Sequence, residues 1–218
     1  MPQVSSVEPQ KRKKDRFNIF LDGKYAFSQD AQSLLKHKIK KGQTLSQKKI
    51  EVLLKESETS KLVDLALNYL SFRPRSQKEI EGYLAKKISQ RENIKFSQAK
   101  ESGSINDVIR KLIKYKYIDD RQFAKWWIES RSRSNPKGNR LIKAELLKKG
   151  IDKDIIDSLL KKTLNQKGLA LLVIQKKIKS WKNLPNLEFR NKVYRYLASR
   201  GFDFDEIREV VAHLEKKR

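Results

Sequence analysis

Twice in these 218 residues a helix-forming run closes with the same pattern, Leu146-Leu147-Lys148-Lys149-Gly150-Ile151 and Leu197-Ala198-Ser199-Arg200-Gly201-Phe202. A glycine just past a helix end takes the left-handed conformation without strain, which brings Ile151 back onto Leu146 and Phe202 back onto Leu197 in a Schellman ending. Each ending is followed by a capping aspartate, Asp152 or Asp203, and then by apolar residues at helical spacing: Ile155, Ile156, Leu159 and Leu160, or Ile207, Val210 and Val211. Asp203 with Glu206 has the spacing of a capping box. Upstream of the same helices, Ile80 and Leu84, Ile142 and Leu146, and Val193 and Leu197 are each four apart. The pattern predicts a mainly α chain with three tandem three-helix repeats. Units this short bury a core only against their neighbours, so an elongated, curved body is expected.

The first repeat departs from the other two. Leu84-Ala85-Lys86-Lys87-Ile88 has no glycine, and a polar stretch over residues 89–104 reads as an insertion loop or a helix extension. Ser104 and Asp107 suit a helix restart before Val108, Ile109, Leu112 and Ile113. Ahead of the repeats the signals are those of β structure. Val4 to Val7 and Phe17 to Leu21 are strand-like, and Asp22-Gly23 is a tight-turn pair before Lys24 to Phe27. Ser28 and Asp30 then offer caps for a short helix ended by Gly42, and Ser46 opens a longer one. The expected divisions are an N-terminal β-hairpin or small sheet at 1–29, connecting helices at 30–60, and repeats at 61–118, 119–165 and 166–218.

Charge narrows the partners. Lys and Arg number 51 against 26 Asp and Glu, a net +25. Each of the three repeats, and the segment before them, carries a surplus of 5 to 7 positive charges, so the excess is not a basic tail. A polyanion such as a nucleic-acid backbone is the expected partner. No run of about 18 apolar residues and no signal peptide is present, so the chain is expected neither to span a membrane nor to be exported. Cysteine is absent and the two histidines, His37 and His213, are far apart. That removes thiolate chemistry and the common metal-ligand patterns, and it points to a reducing cytoplasm. No cofactor or metal is expected. No phosphate-cradling glycine loop and no nucleophile motif occurs, so the chain does not read as an enzyme.

Four local features are candidates for function. In Arg73-Pro74-Arg75-Ser76-Gln77-Lys78-Glu79, Pro74 stops one helix and Ser76 with Glu79 starts the next by a capping box, leaving Arg73 and Arg75 as contact residues or solvated charges. Residues 130–144 hold Arg131, Arg133, Lys137, Arg140 and Lys143 with no acid. At about 100° per residue, Lys137, Arg140 and Lys148 fall opposite Ile142 and Leu146, as a phosphate-facing stripe would. Reversing Arg131, Arg140 and Lys143 to Glu is therefore expected to spare the fold. A further one-sign run spans Lys161, Lys162, Lys167, Lys176, Lys177, Lys179 and Lys182, and Lys11 to Lys14 form a basic loop. Trp126 lies off the Phe123–Trp127 face and is the candidate for base stacking. Asp119-Asp120 is the one adjacent carboxylate pair within a motif; it suits a helix cap with Gln122 or, alternatively, a magnesium site.

From Tyr69 to Ile151 the chain resembles the RecX family of bacterial regulators of RecA recombinase. The carriers are Tyr69, Leu70, Arg73, Pro74, Arg75, Ser76, Glu79, Tyr83 and Leu84; then Tyr117, Ile118, Asp119, Asp120, Phe123, Ala124, Trp127, Ser130 and Arg131; then Lys137, Gly138, Ile142, Glu145, Leu146, Lys149, Gly150 and Ile151. The resemblance implies tandem three-helix units, binding to RecA filaments on single-stranded DNA, and modulation of recombinase activity, usually inhibition, in DNA repair and the SOS response. A cytoplasmic monomer is expected, its partners being the RecA filament and single-stranded DNA, with double-stranded DNA a further candidate. Arg73, Arg75, Arg131, Arg133, Lys137, Arg140, Lys143 and Lys148 are then the candidate contacts to DNA or filament. The alternative is a stand-alone nucleic-acid-binding helical repeat protein, since three-helix units also resemble helix-turn-helix domains; a carboxylate-metal nuclease is more distant.

Overall fold

The computed structural model describes residues 1–11, 15–161, 165–181 and 183–216. Arg12, Lys13 and Lys14 of the basic loop, and Lys162, Lys182 and the Lys176 side chain of the later lysine run, lie outside the described residues. The chain forms two compact units, one of residues 1–73 with 80–117 and the other of residues 74–79 with 118–218.

In the first unit, β1 (Val4–Pro9), β2 (Arg16–Leu21) and β3 (Lys24–Asp30) make an antiparallel sheet in that order. Asp22 and Gly23 both take positive φ, 49° and 80°, as a two-residue hairpin turn requires. Val4, Ile19 and Phe27 on the inner face pack against Ile39, Leu45, Ile50 and Leu53. Asp30 caps α1 (Ala31–His37) by accepting from the Ser33 N–H at 2.7 Å, and Ser46 caps α2 (Gln47–Ser71). α1 ends at Lys38, with φ 50°, rather than at Gly42. Gly42 instead donates its N–H to the Val4 carbonyl and fastens the connection to β1. Arg16 is 4% exposed, its guanidinium 2.7 Å from Asp64 on α2. Among the described residues, no helix is long and apolar enough to cross a membrane.

The first repeat comprises α2, α3 (Gln77–Glu92) and α5 (Gly103–Lys114), with a one-turn α4 (Phe96–Lys100) inserted. The polar stretch is thus partly helix extension and partly an added turn. α3 runs on to Glu92, and Asn93 takes the left-handed conformation, φ 53°, that glycine takes in the other repeats. α5 starts at Gly103 with Ser102 at the cap position, two residues before the expected Ser104 cap.

The second unit contains α6 (Asp120–Ser134), α7 (Asn139–Lys148) and α8 (Lys153–Leu160), then α9 (Gln166–Trp181), α10 (Asn186–Ser199) and α11 (Phe204–Glu215). Each set encloses its own core: Phe123, Ala124, Ile128, Ile142, Leu146, Ile151, Ile156 and Leu160 in one, Ala170, Ile174, Phe189, Val193, Leu197, Phe202, Ile207, Val210 and Val211 in the other. Both repeated endings close as the sequence predicts. Ile151 N–H donates to the Leu146 carbonyl at 3.1 Å and Phe202 N–H to that of Leu197 at 3.2 Å.

The glycines in these endings are required by crowding as much as by φ. Asn93, Lys116 and Lys38 show that other residues adopt positive φ at helix ends in this chain. At Gly150, however, a Cβ would lie 2.7 Å from the Lys78 side chain, and at Gly201 it would lie 2.6 Å from Leu141. Both sites are filled by the start of another helix. The Ser76 hydroxyl, ahead of α3, donates to the Lys149 carbonyl at 2.8 Å. Ahead of α7, Gly138 N–H donates to the Arg200 carbonyl at 2.9 Å and Arg140 N–H to that of Gly201 at 3.2 Å. A helix N-terminus, whose first N–H groups have no partner within their own helix, thus faces a helix C-terminus, whose last carbonyls have none within theirs, and their dipoles attract.

Candidate nucleic-acid interface

The corner after Pro74 forms the expected capping box. Glu79 N–H donates to Ser76 Oγ at 3.2 Å, and Ser76 N–H donates to the Glu79 carboxylate at 3.3 Å. Gln77 N–H donates to Asp120 at 2.8 Å, while Asp119 accepts from the Arg121 and Gln122 N–H groups at 2.8 and 3.0 Å. Asp119 is therefore a helix cap and Asp120 a tether of the corner. Among the described residues no three His, Cys, Asp or Glu side chains gather as a metal site would need. Arg73 and Arg75 flank Pro74 and are half-buried.

Glu145 on α7 organises the basic segment. Its carboxylate accepts from Trp127 Nε1 at 2.8 Å and Arg131 Nε at 2.8 Å, and it pairs with Lys137. The Arg131 guanidinium lies 4.4 Å above the Trp127 ring, and the Lys149 ammonium 5.2 Å from it. Lys149 also pairs with Glu79 of the corner. Burial alone would raise the Glu145 carboxyl. Hydrogen bonds from Lys137, Trp127 and Arg131 outweigh it and hold the group below the ordinary carboxylate value. Nothing in the spacing of the sequence marks Glu145 as the centre, because its three donors come from α6 and the α6–α7 connection.

Of the eight candidate cations, the six between residues 131 and 148 consequently separate into two kinds. Arg131 and Lys137 converge on Glu145, and Lys143 pairs with Asp157, holding that carboxyl below its usual value. Lys137 precedes the first turn of α7, so the helical phase that places it with Arg140 and Lys148 does not apply to it. Because Arg131 and Lys143 each hold an acid, reversing them to Glu sets like charges together, and the expectation that the triple reversal spares the fold is corrected accordingly. Arg133, Arg140 and Lys148 are exposed. Arg133 has a side chain 83% exposed and a carboxylate of Glu129 no nearer than 3.9 Å. Arg140 donates one guanidinium N–H to the Ala198 carbonyl at 2.6 Å. Trp126 is half-buried against the core of its repeat, its ring 5.9 Å from Phe123 and 6.1 Å from Trp127.

A cleft of about 580 Å³ opens beside α6, lined by Arg121, Lys125 and Arg133 together with Ile128, Glu129 and Leu159. Sequence reasoning passed over Arg121 and Lys125, whose spacing of four along α6 was the available signal.

Consecutive three-helix repeats behind a small antiparallel sheet, with no converging catalytic cluster among the described residues, define a tandem three-helix-repeat protein. Comparison with known proteins gives the family. Residues 2–46 match the Regulatory protein RecX N-terminal domain, and residues 64–91, 119–160 and 168–211 match the first, second and third three-helix domains of RecX. The Regulatory protein RecX of Bacillus subtilis (strain 168) is 35% identical over 217 residues, covering 99% of this chain and 78% of the relative. That of Oceanobacillus iheyensis is 32% identical over 222 residues, with 99% and 78% covered. A crystal structure of regulatory protein RecX aligns at a TM-score of 0.74 and 27% identity over 96% of this chain and 98% of the other. The RecX of Lactobacillus salivarius aligns at 0.59 and 28% over 72% and 96%. The chain belongs to the RecX family.

Proposed function

We propose that this protein binds RecA filaments on single-stranded DNA and modulates the recombinase, in the direction of inhibition, as a cytoplasmic, monomeric regulator in DNA repair and the SOS response. The observation that carries the reading is kinship to regulatory proteins along nearly the whole chain, including every repeat. It is supported by a surplus of positive charge in each part of the sequence. In this reading the protein is not an enzyme: it acts by occupying the filament. Exposed Arg133, Arg140 and Lys148 meet phosphates directly. Arg73, Arg75, Arg131, Lys137 and Lys143 contribute field and shape, and Trp126 contributes through its position beside them.

Co-sedimentation with RecA filaments, set against bare single-stranded DNA, tests the proposal, together with strand exchange at substoichiometric protein. Enrichment on filaments and slowed strand exchange are expected. Equal binding to bare DNA with unaltered strand exchange at saturation would replace the proposal with a stand-alone nucleic-acid-binding function. Divalent-metal-dependent DNA cleavage would replace it with an enzymatic one.

A further inference from the structure

The third repeat carries an exposed aromatic face that helical phase does not predict. Phe204 lies three residues before Ile207 and seven before Val211, both in the core, yet it is 64% exposed. Its ring packs instead against Tyr194 on α10, centroids 5.7 Å apart with planes inclined by 36°. The two rings line a groove of about 330 Å³ together with Ala198, Phe202 and Ile207, so its lining is mostly apolar. Arg140, Arg195 and Asp203 complete its lining, Asp203 being the one acid among them. Arg140 reaches the groove from α7 of the preceding repeat. It is held there by the bond to the Ala198 carbonyl, which uses one of its five N–H donors.

This arrangement combines what a single strand requires: a π face that accepts any base, and planar cations beside it for the phosphates. An apolar protein segment would be served by the apolar lining alone, and the two guanidinium groups beside it favour an anionic ligand. Asp203 disfavours a phosphate deep among the apolar residues, leaving that space to an uncharged ring and the two arginines to the backbone. We propose that Phe204, backed by Tyr194, is a stacking platform for a base of single-stranded nucleic acid, with the flanking phosphates on Arg140 and Arg195. The inference rests on the reading above that the chain contacts single-stranded DNA, and it locates the base contact in the third repeat rather than at half-buried Trp126.

The test is fluorescence anisotropy with the full-length protein, using a labelled 20-nucleotide oligothymidylate and an abasic strand of the same length and charge. The wild type should bind the oligothymidylate more tightly than the abasic strand. Phe204→Ala should weaken oligothymidylate binding on the order of 5- to 100-fold and leave abasic binding unchanged, which also shows that the variant is folded. Phe204→Trp should restore the preference, and Phe204→Leu, which keeps an apolar side chain without a π face, should not. Equal wild-type affinity for the two strands, or unchanged oligothymidylate binding by Phe204→Ala, would overturn the platform while leaving electrostatic DNA binding standing. Full activity of Phe204→Leu would overturn it in favour of an apolar docking face. If the wild type bound neither strand, direct DNA contact itself would fail, and filament co-sedimentation would then report on RecA alone.

Discussion

Ser76→Ala removes two interactions at once, and the structure separates them. The hydroxyl oxygen accepts the Glu79 N–H as a helix cap and its proton goes to the Lys149 carbonyl, at a residue with no solvent exposure. Losing a serine cap to alanine costs about 1 kcal/mol, and losing a net hydrogen bond of this kind costs about 1 kcal/mol more. The sum, about 2 kcal/mol, is twice what capping alone predicts. Ser76→Gly distinguishes the contributions, because glycine is tolerated at a cap to within a few tenths of a kcal/mol but cannot bond to Lys149. It should still cost about 1 kcal/mol. All three tryptophans, Trp126, Trp127 and Trp181, lie in the second unit, so their fluorescence during urea unfolding reports the unit that contains this contact. With a slope near 2 kcal/mol/M, the alanine midpoint should fall by roughly 1 M and the glycine midpoint by roughly half that. A glycine variant as stable as wild type, beside a destabilised alanine variant, would refute the Lys149 contact and leave only the cap.

Gly150→Ala should destabilise by about 1–2 kcal/mol, because it adds left-handed strain to a clash with Lys78. Gly82→Ala, within α3 and with open space at its Cβ, should stabilise by about 0.5–1 kcal/mol, and thermal melts of the pair measure the contrast. The lowered Glu145 carboxyl contributes stability above its ordinary value near 4.5 that is lost as pH falls through the folded value. Glu145→Gln should therefore cost about 1–3 kcal/mol at pH 7 and flatten the acid limb of a stability–pH profile below pH about 4.5. Arg133→Glu with Lys148→Glu spares the Glu145 and Asp157 pairs and disturbs only the exposed 3.9 Å contact to Glu129, so it should melt nearly like wild type yet weaken DNA binding. Wild-type affinity should fall by roughly 10³–10⁵ between about 50 and 200 mM salt if about 6–10 phosphates are contacted, and the double variant should show a shallower slope.

Features confined to a few consecutive residues were legible in the sequence. Asp30, Ser46, Asp119 and Asp152 each accept from an N–H two or three residues on, and the Gly150 and Gly201 endings close within five residues. The Asp22-Gly23 turn and the three repeats follow from equally local rules. What escaped depends on groups far apart in the chain. Glu145 collects donors from eight to eighteen residues away. Arg16 finds Asp64 across 48 residues, and Phe204 leaves the core phase because Tyr194 offers it another surface. The glycine missing from the first repeat was visible, but its explanation was not. Asn93 suffices there because a helix end needs positive φ, whereas Gly150 and Gly201 must also make room for a neighbouring helix.

The order in which a ribosome delivers the chain gives the Ser76 contact a timetable. Its acceptor, the Lys149 carbonyl, emerges 73 residues later, roughly 4–15 s at about 5–20 residues/s. During that interval the capping box of α3 can close, since Glu79 is already present, but the hydroxyl proton has no carbonyl to meet. A shorter delay of the same kind recurs when Gly138 waits for Arg200. Each glycine-ended turn is thus a latch delivered late to a helix start already made, and a translational pause between residues 80 and 149 would hold the nascent chain with the corner formed and unlatched.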